Sequence, residues 1–377
     1  MQLSIHMWLL VIVLIICVLY AVSHKTRIDK KRCIQCITII LTLFSGLRSW
    51  QMGDIYHYCY AFLQCNSKDW VLDVKSHDSI GTQLLYRAVG QMHMGFEVCL
   101  FIIAAFSAIT LGIMVYRYSS SPYLSYLMYI CLGYYIFTLS GLKQTIAMGF
   151  VMLAMDGVFK SKPIKFLACV GLAGLFHTPA LIFIIAYPFA RKKINISYFV
   201  ILFLSVFTIL MFRNQIVSFA TTMYYENDTE YVVGEGFGGK FIMMIAILLV
   251  SALIRPVKNY DHKYRYVFNI VIIATIIQSF SVYDNVFTRL ADYFFQFFVL
   301  FVPMLMEDGY KQVGEHPEKA KEIRYYSKSI YSAMILIITI FSIIFYKQTV
   351  DASAELLSGF KFVWDSDASY SLNMLGE

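Results

Sequence analysis

Long apolar runs separated by short polar loops constrain this chain more than any other feature. Most runs are about 16 to 21 residues long, and a helix of roughly 20 apolar residues crosses a bilayer. Only 15% of the residues are charged, whereas a soluble domain carries about 25%. The sequence therefore predicts an all-α polytopic membrane protein with about 12 transmembrane segments. The runs lie near residues 7–23, 33–47, 95–115, 122–139, 142–159, 164–176, 179–190, 196–212, 240–255, 266–282, 288–306 and 328–346.

The stretch 164–190 is predicted to form a short hairpin instead of one long helix. Pro179 and the residue before it disfavour a continuing helix. Basic clusters stand at both ends of the stretch, at 160–165 and at 191–193. Because cytoplasmic loops of membrane proteins are rich in Lys and Arg, both ends should lie inside. His177 then lies at the outward tip of the hairpin.

The same rule predicts the orientation of the chain. The loops 24–32, 255–265 and 307–328 and the loop at Arg117, together with the ends of the hairpin, hold most of the 31 Lys and Arg residues, so we place them in the cytoplasm. The net charge of +7 follows from this topology and does not indicate a nucleic acid partner. No linker or repeat interrupts the pattern, and 1–377 is predicted to be a single integral membrane domain.

Both termini are then predicted to lie outside. The outer segments are the loops 48–94 and 213–239 and the C-terminal tail 347–377. Within the first loop, residues 79–93 carry apolar residues at helical spacing. This pattern is typical of a helix that lies on the membrane surface.

Four groups that are cationic, or can become so, lie at the predicted outer ends of apolar runs: Arg48, Lys143, His177 and Arg289. Burying such a group at membrane depth costs a few kcal/mol, which marks each position as a candidate functional site. Together they predict a pocket for an anionic ligand at the outer surface.

Arg48 is followed closely by Asp54 and Tyr58. An interfacial aromatic belt accounts for the tyrosine without a function. The arginine can instead extend to lipid phosphate, and Asp54 can simply pair with it. Ligand binding and these structural interpretations both stay open.

Lys143 and Gln144 follow Gly141 at the start of another run. A cation and an amide at a helix N-terminus suit a diphosphate, because the helix dipole adds positive charge there. An ordinary interfacial lysine is the alternative.

Histidine titrates near neutral pH when unperturbed, so His177 can act as a base or donate to phosphate. A core histidine bonded to a carbonyl is the alternative. Arg289 and Asp292 are three residues apart, which suits an intrahelical pair as well as ligand contact.

Motifs of nucleotide-driven and hydrolytic enzymes are absent: the chain has no G-x-x-x-x-G-K-[ST], no G-x-S-x-G and no H-E-x-x-H. Cys33 and Cys36 open an apolar run and have no partner pair, which favours a structural role. Cys59 and Cys65 share an outer loop, where a disulfide and two free thiols are both open. We expect neither a metal nor a cofactor.

An ordered set of motifs resembles the EpsG family, Wzy-like membrane polymerases of bacterial exopolysaccharide, capsule and O-antigen. The set extends from about residue 40 to 310. It consists of Gly-Leu-Arg-x5-Asp at 46–54, Gly-Leu-Lys-Gln at 141–144, Phe-His-x-Pro-Ala-Leu-Ile at 176–182 and Arg-Leu-x-x-Tyr-Phe at 289–294.

The resemblance implies glycosyl transfer at the outer face of the bacterial inner membrane, without metal. A glycan on undecaprenyl diphosphate would move to a hydroxyl of the next lipid-linked repeat unit. Asp54 and His177 are the implied candidates for the catalytic base. The implied ligands of diphosphate or sugar are Arg48, Lys143, Gln144, Arg289, Tyr58 and Tyr293.

Further candidate partners are the chain-length regulator and the flippase of the same pathway, besides the lipid bilayer itself.

Two departures from the family pattern matter. The family usually has Arg where this chain has Lys143, and lysine cannot form a bidentate fork to phosphate. A Glu-Pro-Gly-like element expected near residue 79 reads Ser79-Ile80-Gly81, so Asp78 or Glu97 would have to supply its acid.

Other functions share these residues. An O-antigen ligase-type glycosyltransferase needs the same diphosphate site and base. A flippase or transporter of the lipid-linked oligosaccharide would place its site near the bilayer midplane, on broken helices in related halves. The clustering of cations at outer ends favours the polymerase over transport. An outer-face acyltransferase is a weaker alternative.

Overall fold

The computed structural model describes residues 4–22, 27–49, 55–74, 78–193, 204, 207–208, 211–212, 215, 239–254, 261–311 and 320–364. These ranges contain helices and one isolated β-bridge, and no β-strand occurs within them. The helices are α1 (Ile5–Val22), α2 (Arg27–Gly46), α3 (Ile55–Cys65), α4 (Ile80–Gln91), α5 (Phe96–Tyr118), α6 (Pro122–Cys131), α7 (Tyr134–Ser140), α8 (Leu142–Phe159), α9 (Pro163–Phe176), a 3₁₀ helix (Thr178–Ile185), α10 (Ala186–Ala190), α11 (Gly239–Ile254), α12 (His262–Gln278), α13 (Asn285–Phe295), α14 (Phe298–Lys311), α15 (Ala320–Ala352) and α16 (Ala354–Ser358).

The predicted all-α membrane architecture is confirmed in its coarse features. In the described part of the chain, three helical segments are long and apolar enough to cross a membrane: Phe96–Tyr118, Leu142–Phe159 and Tyr331–Ala352. Two bent helix pairs raise the number to five if each pair is one crossing. The count of 12 crossings and the side that each loop faces stay predictions. Most of the predicted run 196–212 lies outside the described residues.

Two of the predicted runs are interrupted by a bend. The run 122–139 breaks between α6 and α7 with a bend of 50°, and 288–306 breaks between α13 and α14 with a bend of 48°. Gly133 causes the first break, since its φ of 86° is left-handed and glycine reaches that region without steric cost. At the second break, the buried amide of Gln296 donates to the Tyr293 carbonyl at 3.1 Å.

The predicted interruption at His177 is confirmed. Helix α9 ends at Phe176 and a 3₁₀ helix begins at Thr178. The Phe166 ring lies 5.1 Å from the Tyr187 ring, centroid to centroid. These residues would be about 30 Å apart along a continuous helix, so the chain turns back on itself at His177.

The chain forms two compact units. The first consists of Met1–Ala154, Ala168–Leu181 and Met334–Glu377. At the end of this unit that is predicted to face the cytoplasm, Lys30 donates to the carbonyls of Tyr116 and Ser119. These hydrogen bonds join the start of α2 to the end of α5. At another end, the rings of His6, Phe44 and Phe360 pack together, which joins three predicted outer ends.

Helix α4 occupies most of the stretch predicted to be an interfacial helix. It packs through Tyr86 and Val89, which are buried, while Leu84 is 50% exposed. Its location at the membrane surface stays a prediction.

The second unit consists of Met155–Leu167 and Ile182–Ala333. The buried Asp156 forms ion pairs with Lys160 at 3.0 Å and Lys165 at 2.5 Å, and these pairs close the turn between α8 and α9. The buried amide of Asn269 donates to the carbonyls of Phe189, Ala190 and Lys192 at the end of the hairpin. Carbonyls at a helix end lack intrahelical partners, and Asn269 supplies the missing donor.

Candidate functional site

A short backbone pairing positions Arg48. Helix α2 ends at Gly46, and the next residues pair antiparallel with the C-terminal segment of the first unit. The amide of Ser49 donates to the Lys361 carbonyl at 2.7 Å, and the amide of Val363 donates to the Leu47 carbonyl at 2.9 Å. Arg48 lies opposite Phe362 in this bridge. The residues before and after Arg48 are therefore both hydrogen-bonded to the C-terminal segment.

Aromatic packing supports the bridge. The Phe44 ring, in the last turn of α2, stacks on Phe360 at 5.7 Å and meets Phe362 edge-on at 5.5 Å. His6 contacts Phe360 from α1, and Trp364 stacks on Phe362 at 4.6 Å. The contacts among these rings hold the extended segment against α2.

The Arg48 side chain is 1% exposed. Its guanidinium donates to the carbonyl of Ser45, and Nη2 donates to the carbonyl of Thr138 at 3.3 Å. Its Nε atom is buried without a hydrogen-bond partner, and among the described residues no carboxylate pairs with it. A buried charge without a counterion is unfavourable by several kcal/mol. The arrangement therefore suits an anion that would complete the site.

The contact with Thr138 connects Arg48 to the junction of α7 and α8. Gly141 separates the two helices, and a Cβ atom at this position would lie 2.5 Å from Cζ of Phe137. A side chain at this position would have to displace the Phe137 ring. Helix α8 begins at Leu142, which places Lys143 and Gln144 in its first turn, at the positive end of the helix dipole.

Lys143 lies between an acid and an aromatic ring. Its Nζ atom is 3.1 Å from Oδ1 of Asp78, and the two side chains are 11% and 20% exposed. The same Nζ lies 5.6 Å from the centre of the Tyr58 ring. The structure thus brings together two predicted site residues, Tyr58 and Lys143, with the acid considered as a substitute, Asp78. We call these three residues the Lys143 cluster.

The tip of the hairpin adjoins this cluster through Ser79. The Ser79 hydroxyl donates to the carbonyl of Phe176 and lies 2.9 Å from the Thr82 hydroxyl. At Gly81, a Cβ atom would lie 3.0 Å from the Leu175 carbonyl oxygen. His177 directly follows Phe176, and its side chain is half-buried. The segment from Asp78 to Gly81 therefore connects Lys143 to the neighbourhood of His177.

Arg289 and Tyr293 belong to the second unit, and Asp54 lies outside the described residues. Arg289 is exposed and Tyr293 is buried in α13. Asp292 forms its ion pair with Lys240 at 2.5 Å, and Lys240 lies 4.3 Å from the centre of the Phe295 ring. Asp292 therefore has a partner on another helix, and the two interpretations of Arg289, an intrahelical pair and a ligand contact, both stay predictions.

Sequence reasoning missed the C-terminal part of the site. The alternation of apolar side chains at Phe360, Phe362 and Trp364 is typical of an extended segment, and that signal could have identified it. No sequence pattern indicated that Thr138 contacts Arg48, because only the backbone carbonyl of Thr138 takes part.

Cys59 and Cys65 are free thiols, which decides between the two alternatives left open for them.

Comparisons with known proteins relate the chain to a protein family. No curated protein and no solved structure matches the chain. The model of the EpsG family matches residues 31–361, a range that includes Arg48, the Lys143 cluster, His177 and Arg289.

Proposed function

Since the chain belongs to the EpsG family of Wzy-like polysaccharide polymerase-type membrane proteins, we propose that it polymerises a lipid-linked glycan. A glycan would leave undecaprenyl diphosphate and join the hydroxyl of another lipid-linked repeat unit. The reaction would take place at the outer face of the bacterial inner membrane, which the protein would cross several times.

One observation carries the proposal, the burial of Arg48 without a carboxylate partner among the described residues. A leaving diphosphate gains negative charge as its bond to the sugar breaks. Buried, preorganised donors stabilise such charge better than water does, because they need not reorient during the reaction. The free Nε and the Nη atoms of Arg48 supply donors of this kind.

Lys143 is the second proposed ligand of the diphosphate. It already has an anionic partner in Asp78, and a diphosphate would compete with this carboxylate for the ammonium group. Tyr58 lies beside the ammonium and offers a ring on which a sugar can stack. Gln144, in the same helical turn, would add an amide donor.

The chemistry requires a base. The acceptor hydroxyl oxygen forms a bond to the anomeric carbon while the bond from that carbon to the diphosphate breaks. The hydroxyl proton must pass to a nearby group, and the diphosphate leaves with both bonding electrons. Asp54 and His177 stay the proposed bases. Asp78 joins them, since release from Lys143 would leave its carboxylate free to accept the proton.

Arg289 and Tyr293 are proposed to contribute separately from the second unit. Arg289 is exposed at the start of α13, where a guanidinium can reach a phosphate.

An assay with purified protein and lipid-linked oligosaccharide tests the proposal, with chain length as the readout. We expect long glycan chains from the unaltered protein, and a rate about 10²- to 10³-fold lower from Arg48→Gln, the usual cost of removing one charge-stabilising donor. Arg87→Gln is the matched control. Arg87 also donates to two backbone carbonyls, those of Cys65 and Ser67, but it is not fully buried.

Three results would contradict the proposal. Arg48→Gln could polymerise at the unaltered rate. The unaltered protein could transfer glycan only to an acceptor other than the repeat unit, which would indicate a ligase. It could also move lipid-linked oligosaccharide across a vesicle membrane without forming any glycosidic bond, which would indicate a flippase.

A further inference from the structure

We propose that the groove between α2 and α5 is a binding site for an anionic phospholipid. This site would be separate from the proposed polymerase site and would lie at the opposite, predicted cytoplasmic, ends of these helices. The argument depends on the shape of the groove, the charge at its mouth and the apolar surface beyond it.

The groove has a volume of about 740 Å³. A volume of this size accommodates a small molecule or part of a lipid. Its lining divides into two parts. Charged side chains lie near the ends of the two helices, and mainly apolar side chains continue along both helices from there. This division matches a molecule with a charged head and an apolar tail.

Three cations lie at the mouth of the groove: Lys31, Arg32 and Arg117. All three are exposed. No carboxylate is among the described residues that line the groove, and Asp29 in the first turn of α2 is not part of the lining. Each Lys or Arg near an anionic membrane surface contributes about 1 kcal/mol of attraction. The charge at the mouth therefore complements a phosphate.

Lys30 binds the backbone carbonyls at the end of α5, close to the cations at the mouth of the groove. Its Nζ atom donates to the carbonyls of Tyr116 at 3.2 Å and Ser119 at 2.7 Å. Carbonyls at the end of a helix carry partial negative charge and would repel a phosphate. Because Lys30 binds them, this repulsion is reduced and the two helix ends are held together.

The apolar part of the groove is formed by Ile34 and Ile39 of α2 and by Ile109 and Ile113 of α5. Ile39 is 57% exposed and Ile109 is 49% exposed. From Arg117 to Ile109 the α5 surface extends about 12 Å, which is enough for part of an acyl chain. An apolar surface that continues directly from the cations favours a phospholipid over a soluble phosphate or a peptide.

Native mass spectrometry of the purified full-length chain tests the proposal. Phosphatidylglycerol and phosphatidylcholine are added separately, and retained lipid is counted. We expect phosphatidylglycerol to bind at least about tenfold more tightly, since two of the three charges would supply more than the 1.4 kcal/mol that a factor of ten requires. The preference should disappear in the triple variant Lys31→Gln, Arg32→Gln, Arg117→Gln.

The matched control is Lys162→Gln, Lys192→Gln, Lys193→Gln. It removes the same charge from other predicted cytoplasmic loops, where all three side chains are exposed. A second variant, Ile109→Trp, fills the apolar part and leaves every charge in place. We expect the control to retain the preference for phosphatidylglycerol and Ile109→Trp to weaken the binding of that lipid.

Any of three results would overturn the proposal. The two lipids could bind equally to the unaltered protein. The control variant could lose as much phosphatidylglycerol as the groove variant, which would indicate general surface charge. Glycerol phosphate without acyl chains could displace the lipid at equal concentration, which would indicate a site for soluble phosphate.

Discussion

Lys143 and Asp78 form an ion pair with an Nζ–Oδ1 distance of 3.1 Å across 65 residues of sequence. The pair joins the predicted outer loop to the first turn of α8. It accounts for a lysine at a helix start, which sequence alone could not distinguish from an ordinary interfacial residue. The pair also places an acid beside Lys143, the position at which the family usually has Arg.

Two substitutions of Lys143 should show whether polymerisation depends on the positive charge of this side chain. We expect Lys143→Gln to lower the polymerisation rate about 10²-fold or more, as loss of a charge-stabilising donor does. Lys143→Arg should retain activity, because arginine keeps the charge and adds a fork that matches phosphate. Chain length of the lipid-linked product is the measurement. Equal activity of Lys143→Gln and the unaltered protein would exclude Lys143 as a ligand of the diphosphate.

Gly81 should be sensitive to a single added methyl group. Its Cβ would lie 3.0 Å from the Leu175 carbonyl oxygen and 3.1 Å from Cδ1 of Phe176, so Gly81→Ala should displace the hairpin tip next to His177. We expect a loss of about 1–3 kcal/mol in the free energy of unfolding together with reduced polymerisation.

Gly171 provides the control for Gly81. It lies in α9 of the same hairpin, and a Cβ there would meet nothing within 4 Å. Gly171→Ala should be neutral or should stabilise by about 0.5–1 kcal/mol, because alanine is the better helix former. Thermal unfolding in one detergent compares the two variants. Similar losses from both would show that the contact at Gly81 is unimportant.

Two truncations test the bridge at Arg48. A chain that ends at Gly359 lacks Phe360, both bridge hydrogen bonds and the partner of Arg48. A chain that ends at Trp364 retains all of these contacts. We expect the shorter chain to polymerise at least about tenfold more slowly, since small displacements of a positioned group are costly. The longer chain should retain its activity, and equal activity of the two would count against the bridge.

The thiol of Cys59 should react slowly near neutral pH. Burial, with a smaller effect of Glu97, raises its pKa to about 11. Only the thiolate is nucleophilic, and at pH 8 a thiol of pKa 11 holds roughly a hundredfold less thiolate than one of pKa 9. Alkylation should therefore accelerate as the pH rises towards 11.

Peptide-resolved mass spectrometry measures this reaction, with denatured protein as the control. In the denatured chain Cys59 loses its protected environment, and its alkylation should become fast near pH 8. A folded protein that reacts as fast as the denatured one would contradict the assignment.

Hydrophobic length predicted the helices well, because a helix that crosses a membrane must satisfy all its backbone groups internally and needs about 20 apolar residues. The run 142–159 corresponds to α8 from end to end. The break at His177 followed from Pro179 and from basic residues at both ends of the hairpin. In contrast, the bend near Gly133 was missed, since glycine also occurs inside straight membrane helices.

The site could be predicted only in part. Arg48 and Lys143 were identifiable because a cation at membrane depth is costly and therefore informative. Their partners were not, because Thr138 contributes only a carbonyl and Asp78 is distant in sequence. Asp292 had a plausible partner within its own helix, yet it pairs with Lys240. Spacing along a helix indicates which pairs are possible, and tertiary packing decides among them.

The bridge between Arg48 and Phe362 has a consequence for biosynthesis. A ribosome makes Arg48 early and Phe362 more than 300 residues later. Throughout that interval α2 can already be inserted in the membrane, but the backbone beside Arg48 lacks its pairing partner. A nascent or prematurely terminated chain would thus carry the arginine without the bridge that holds it, and the bridge could form only after Phe362 has been made.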